Sequence, residues 1–463
     1  MDLEKRARRQ SLKVITSEII MVITVIITVI ILAFLVSGYW LGSGFKVERQ
    51  GMLQIHSVPT GANVAVDGDA PWYQRTNTSK VLSSGEHEVE LTKEGYDSWH
   101  KTISITEGLL YRVQYPRLFL LEREKSTAFI PTKAPSFVTI SPDYNSMLLI
   151  DNITAWTLLN LNRDEIEPTT IDVAAIFTFV SKADGATAGL FTGTILSANW
   201  SNDNEHVLLQ VGSADDASEE WVVLNVKNPK NSINITREFA ADFDEVRISD
   251  SSANTLFALQ NGNLRKINVS DRQISAILAE DVKSYDFYES DLIYFSENKI
   301  FAGRLNDPKT VILTEVEDDS HVFISKFYDE KYNVVISKDK VELIKQENLE
   351  PVFEGAISFA PETIKIGHGG SFVFMQSGVN VAVLDMEIMT IREWQLDSAN
   401  YGWLDSSMLY AVKDGNLIVY DFDGLNRREL SSNVSARFPV TIVNNKWLYY
   451  FSDDALVREV IAK

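Results

Sequence analysis

Apolar residues are laid along this chain in two patterns, and the change from one to the other falls near residue 42. Between Ile19 and Leu41 no position is charged, and from Ile19 to Val36 every position except Met21, Thr24, Thr28 and Ala33 is Ile, Val, Leu or Phe. A helix rises about 1.5 Å per residue, so the stretch 19–41 reaches roughly 34 Å against a hydrocarbon core of about 30 Å. The run predicts a transmembrane helix, in which Thr24 and Thr28 can return their hydroxyls to the carbonyl one turn earlier. After Gly42-Ser43-Gly44 the block gives way to alternation: Leu53, Ile55 and Ser57 in step, a break at Pro59-Thr60-Gly61-Ala62, then Val64 and Val66 before Asp67-Gly68. Leu82, Gly85, His87, Val89 and Leu91 continue it, followed by Trp99, Ile103 and Ile105, with turns at Gly95-Tyr96 and Gly108. Period-two alternation cut by Pro, Gly and Asp-Gly predicts half-buried strands joined by tight turns.

Charge beside the apolar run sets its orientation. Lys5, Arg6, Arg8, Arg9 and Lys13 precede it, whereas only Lys46 and Arg49 follow closely, with Glu48 between them. Positive charge stays on the cytoplasmic side, so residues 1–18 are expected to be a cytoplasmic tail and the chain beyond the helix to be exported. A cleaved signal peptide is the competing reading, with Val36-Ser37-Gly38 as a small-residue site. The apolar run exceeds the usual h-region of about 7 to 15 residues, and no cysteine is present to carry a lipid, which favours an uncleaved anchor.

The segment Gly51-Met-Leu-Gln-Ile-His-Ser-Val-Pro-Thr-Gly-Ala-Asn-Val-Ala-Val-Asp-Gly, followed by Leu82-x-x-Gly85-x-His87-x-Val89 and Gly95-Tyr96, resembles the PEGA domain. The motif departs from the family at Thr60, where Glu would stand; the turn needs the Pro and the Gly rather than that carboxylate. The resemblance implies a small extracytoplasmic β-sandwich over 51–116 that serves as an accessory or binding module without catalysis.

Beyond residue 117 strand-like segments recur. They begin near Phe137, Leu196, Glu245, Ser284, Val322, Thr363, Tyr401 and Val440, each followed by a second apolar run and usually a third. From the third start onward the spacing is about 40 residues, the period of a four-stranded propeller blade. That makes eight units; the first interval, from Phe137 to Leu196, is half as long again and leaves seven as an alternative. The last unit has room for three strands, and the isolated run 117–122 is expected to complete it and leave no free edge. The Ser141-Pro142-Asp143 turn before an apolar strand is similar to repeats of TolB-like and WD-repeat propellers. In the long first interval, Phe177, Phe179, Leu190 and Phe191 are candidates for an exposed partner-docking loop.

Composition then limits the chemistry. The net charge is −21, from 43 basic and 64 acidic side chains. Positions 1–18 hold five of the basic and three of the acidic ones, so 38 basic face 61 acidic in the remainder, and nucleic acid and anionic lipid are not expected ligands of the exported part. The absence of cysteine excludes disulfides, thiolate metal sites and cysteine nucleophiles. No nucleophile elbow, phosphate loop, dinucleotide fingerprint or zincin motif occurs. His368-Gly369-Gly370 reads as a glycine turn, and the six histidines are scattered singly. Asp421-Phe-Asp423-Gly424 lacks the rest of a calcium loop and reads as a hairpin turn, while Asp215-Asp216 and Asp318-Asp319 read as solvated loops. The tryptophans at 156, 200, 221, 394, 403 and 447 fall in or beside strands, where most pack a core and a few on one rim would suit a sugar or peptide.

These readings combine into an all-β protein of the bacterial cell membrane: cytoplasmic tail 1–18, helix 19–41 in the lipid bilayer, linker 42–50, PEGA-like sandwich 51–116 and β-propeller 117–463. The expected role is non-catalytic binding of an envelope protein or glycan, with no catalytic, cofactor or metal residues assigned. The alternative is an exported hydrolase or lyase with carboxylates in the propeller funnel.

Overall fold

The structure, a computed structural model, describes residues 18–30, 32, 39–41, 47–181, 189–213, 217–249, 252–305, 310–316, 320–367 and 370–463. The basic tail with Lys5 to Lys13, Val36-Ser37-Gly38, Gly42 to Lys46, the pairs Asp215-Asp216 and Asp318-Asp319, and His368 lie outside the described residues. The chain divides into two compact units, 1–121 and 122–463.

Residues 18–30 are helical and exposed on every face. Thr24 Oγ1 donates to the Ile20 carbonyl at 2.8 Å and Thr28 Oγ1 to the Thr24 carbonyl at 2.8 Å, so neither hydroxyl is left without a partner. Among the described residues no helix is long and apolar enough to cross a membrane. The C-terminal end of the expected span is corrected: Tyr39–Leu41 is a strand, β1, paired antiparallel with Val47 to Arg49 of β2 (Val47–Ile55). A Tyr-Trp pair suits a pleated strand better than a helix end, and β2 starts inside the expected linker 42–50.

The alternation of residues 47–113 folds as expected. One sheet has the order β1-β2-β4 (Thr78–Ser83), with β7 (Leu110–Val113) parallel to β2; the other has the order β3 (Asn63–Val66), β5 (Gly85–Thr92), β6 (Trp99–Ile105). Leu53, Ile55, Leu82 and Val113 from the first sheet meet Val64, Val66, Val89, Leu91, Trp99 and Ile103 from the second in a single core. Asp67 and Gly68 both have positive φ, 53° and 78°, as a two-residue hairpin turn of the primed type requires. Gly51 permits close approach: a Cβ there would stand 2.5 Å from both Ile105 Cγ2 and the Thr106 carbonyl. His87 fastens the Asp-Gly turn to the end of β4 in the other sheet, with Nδ1 2.6 Å from Asp67 Oδ2 and Nε2 2.8 Å from the Ser83 carbonyl. Both partners accept only, an arrangement that favours a proton on each ring nitrogen and raises the imidazole pKa.

The second unit contains eight four-stranded antiparallel sheets among the described residues, the first seven each a simple meander in chain order. Their first strands are Phe137–Ile140, Gly193–Trp200, Glu245–Ser249, Val282–Tyr288, Ser320–Phe327, Thr363–Ile366, Tyr401–Trp403 and Thr441–Val443. Consecutive sheets share apolar cores: Trp156 and Ile150 with Val207 and Leu224, Trp221 with Val246, Phe257 with Tyr285, Ile293 with Val322, Tyr332 with Val373. Phe372 stacks on Phe422 at 4.0 Å, and Val440 N donates to Tyr410 Oη at 3.1 Å. Val138 and Leu149 of the first sheet then meet Tyr449 and Phe451 of the eighth, so the succession closes on itself in a propeller-like ring.

The strand that completes the eighth sheet differs from expectation. It is β8 (Lys125–Phe129), paired with 456–459. The run 117–121 belongs to the sandwich instead: Leu118 is buried in its core, Arg117 bridges Val58, and Leu120 bridges Tyr96. Its unbroken Leu-Phe-Leu sequence suits a segment buried on all sides, whereas an outermost strand needs the polar positions that Lys125, Ser126 and Thr127 supply.

Candidate binding cavity

The first strands of seven successive sheets, from Thr139 and Ile140 round to Trp403, line one cavity of about 870 Å³. Alternation along each strand sorts polar from apolar side chains around it. In the third sheet Glu245 and Arg247 fall on one side and Val246 and Ile248, both buried, on the other. Arg247 Nε donates to Glu245 Oε1 at 2.6 Å, its guanidinium lies 4.6 Å from the Tyr285 ring centroid, and Asp286 Oδ1 is 3.6 Å from Nη1, which also donates to the Tyr285 carbonyl. Burial works against this charge, yet Glu245 and Asp286 hold the guanidinium above its ordinary pKa.

The other carboxylates at the cavity serve the backbone. Asp244 Oδ2 accepts from Asn261 N at 2.6 Å, Asp286 Oδ2 from Ile324 N at 2.7 Å, and Asp405 Oδ1 from Ser407 N at 2.8 Å and Met408 N at 2.9 Å. Tyr144 stands near Asp405; burial and that negative charge push its phenol up to about 12. Trp200 Nε1 donates to Thr139 Oγ1 at 3.0 Å, Trp221 Nε1 to the Phe243 carbonyl at 3.2 Å, and the Trp403 ring packs 5.6 Å from Phe374. Of the tryptophans singled out in the sequence, 200, 221 and 403 reach the cavity, while Trp156 is wholly buried between sheets.

Lys365, in the strand Thr363–Ile366, differs from its neighbours. Solvent in the cavity reaches its side chain, but the surrounding sheets enclose it enough for desolvation to lower the ammonium pKa. Among the described residues no carboxylate forms an ion pair with it, although Asp286 and Asp405 line the same cavity. The arrangement can take a polar or anionic group beside Lys365, between the aromatic walls of Phe323 and Trp403. Sequence reasoning missed Lys365 and Arg247. Aligning the first strands by the repeat would have exposed them, because Arg247, Asp286 and Lys365 each interrupt an apolar strand near its centre.

The candidate docking loop is corrected. Phe177 and Phe191 are buried, 5.1 and 5.3 Å from the Trp156 ring and 5.2 Å from each other; Phe179 is partly buried against the same core, and Leu190 alone is exposed. Buried Glu220 holds the segment in place, accepting from Thr178 N at 3.0 Å, Thr178 Oγ1 at 2.7 Å and Asn234 Nδ2 at 2.5 Å. The aromatic side chains fill the wedge between the first two sheets and are not presented to a partner. Asp421 and Asp423 lie in a turn, with Asp421 Oδ2 accepting from Asn426 Nδ2 at 2.9 Å and Gly424 N donating to the Asp421 carbonyl at 2.9 Å. Among the described residues no group of three or more His, Asp or Glu side chains is placed to hold a metal ion.

Residues 50–117 match the family model of the PEGA domain. A search of curated proteins finds no match to the chain. Solved structures similar to it include PorZ, a surface component of the type-IX secretion system of Porphyromonas gingivalis, at 12% identity and TM-score 0.40, covering 71% of this chain and 42% of that one. Hsv2 of Kluyveromyces lactis matches at 11% identity and TM-score 0.42 over 65% of this chain and 99% of its own. The dihydro-heme d1 dehydrogenase NirN matches at 13% and 0.42, over 75% and 72%. The chain spans less than half the length of the PorZ chain it resembles.

Proposed function

We propose that this is a single-pass, membrane-anchored binding or scaffold protein of a bacterial cell envelope, its N-terminus cytoplasmic and both folded units outside. The apolar run from Ile19 anchors it, the PEGA domain acts as a spacer, and an eight-bladed propeller offers its central cavity and rim loops to a protein or glycan partner. A PEGA domain joined to a propeller-like unit fits a surface scaffold or binding protein. The observation that carries the binding reading is the cavity itself, where seven first strands converge and Lys365 reaches the lumen while the carboxylates around it accept structural hydrogen bonds. Anchoring is supported by a helix whose Ile, Val and Met side chains are all exposed, a surface that lipid solvates and water does not.

Four carboxylates at the cavity, Asp244, Glu245, Asp286 and Asp405, favour the rival reading of an exported hydrolase or lyase. Against it, each is committed to a backbone N–H or to Arg247. Fractionation of cells expressing the full chain tests the anchor. Retention in membranes after an alkaline wash, with both units digested by protease added to spheroplasts, is expected; release by the wash would overturn it.

A further inference from the structure

The two outer faces of the PEGA domain are chemically opposite. On the sheet of β2, β4 and β7, cross-strand pairing puts Leu110, Met52 and Val81 in one outward row, 37%, 43% and 52% exposed. The neighbouring rows are Gln50 with Ser83, and Arg112 with Gln54 and Ser79. These eight positions contain no carboxylate. The opposite sheet turns Glu86, Glu88 and Glu90 of β5 outward beside Ser104, Thr102 and His100 of β6, with no lysine or arginine among them. Leu109, just before β7, adds one more exposed large side chain.

We infer that the Leu110-Met52-Val81 face lies against the surface of the lipid bilayer, an inference that rests on the anchored reading above. Chain connectivity selects this occupant. The sheet's own first strand, β1, starts seven residues after helical Leu32, a reach of at most about 25 Å. The sheet is therefore tethered within one domain's width of Leu32. Its chemistry suits the interface: apolar side chains enter the headgroup boundary, and the rows flanking them are polar without a carboxylate. In a chain of net charge −21, the apolar row whose two neighbouring rows hold no carboxylate is the one that can approach a membrane, while the glutamate face of β5 points away from it.

The chain has no cysteine, so single labels are unambiguous. The full chain carrying Val81→Cys or Glu88→Cys is labelled with an environment-sensitive dye, reconstituted into phosphatidylcholine vesicles and exposed to a lipid-borne or a water-soluble quencher. The Val81 label is expected to be quenched several-fold more by the lipid-borne quencher than the Glu88 label, and adding Met52→Asp should bring it down to the Glu88 level. Equal, water-dominated quenching of both labels in vesicles that keep the chain through an alkaline wash overturns this inference and leaves the anchor intact. Disulfide cross-linking between two Val81→Cys chains without lipid quenching also overturns it, in favour of a second copy. Loss of the chain on washing overturns the anchor itself.

Discussion

Arg123 Nε and Glu459 Oε1 are 2.6 Å apart although 336 residues separate them in the chain. Glu459 has no solvent exposure and also receives the hydroxyls of Ser431 and of Tyr450, the latter at 3.2 Å, with the Lys125 ammonium at 3.6 Å. Arg123 lies just before β8, and Glu459 lies on the strand that β8 pairs with, so the ion pair sits at the join that closes the ring of sheets.

Removing one member leaves the other partly buried and uncompensated. Glu459→Ala should destabilise the second unit by about 3–5 kcal/mol, the usual cost of breaking a buried pair. Glu459→Gln should lose less, since it can still accept from Ser431 and Tyr450. Guanidinium unfolding followed by tryptophan fluorescence measures both. A loss under about 1 kcal/mol for the alanine variant would show that β8 closes the ring without this pair.

The PEGA domain should be most stable in mildly acidic solution. Burial lowers the His87 pKa, but the hydrogen bonds to Asp67 and Ser83 outweigh it and the net shift is upward. A raised folded value gives stability that is complete below the unfolded value of about 6.5 and is lost as pH rises through the folded one. Asp67, lowered chiefly by its bond to His87, contributes above its unfolded value of about 3.9 and loses that contribution as pH falls. Both contributions are therefore present between about pH 4 and 6.5. Asp67 is half exposed, which holds the gain to surface-pair size, below about 1 kcal/mol. The melting temperature should fall from pH 6 to pH 8, and His87→Gln should flatten that slope; an unchanged slope would mean His87 is neutral in the fold.

Phe191 and Leu190 are adjacent in the chain but should behave in opposite ways. Phe191→Ala opens a cavity beside Trp156 and Phe177 and should cost about 3–5 kcal/mol, whereas exposed Leu190→Ala should stay within about 0.5 kcal/mol. A stable Phe191→Ala protein that had lost partner binding would restore the docking loop set aside above.

Where a local rule has one physical solution, the sequence is a reliable guide. Thr24 and Thr28 return to their helix carbonyls, Asp67-Gly68 makes a turn with positive φ at both positions, and the regularly spaced apolar runs form meanders that pack one on the next. Tertiary competition decides the rest. The run 117–121 is apolar enough to enter either unit, and only the bridges to Val58 and Tyr96 show which one takes it. Phe177 reads as loop aromatic surface because nothing local announces that Glu220, 42 residues away from Thr178, pins the segment over Trp156. Lys365 escapes notice for the opposite reason: one charged residue in a strand has the signature of a solvent-facing position, and only the ring makes that solvent a central cavity.

The central claim is that the cavity binds an envelope partner through Lys365. The most direct measurement is binding of the labelled full chain, in detergent micelles, to separated protein and glycan fractions of the cell envelope, beside Lys365→Glu matched for melting temperature. Saturable binding to one fraction, weakened about tenfold or more by the charge reversal, a change of about 1.4 kcal/mol or more, is the expected result. Absence of binding to either fraction, or turnover of an envelope polymer that Lys365→Glu leaves untouched, would contradict the account and favour the enzyme.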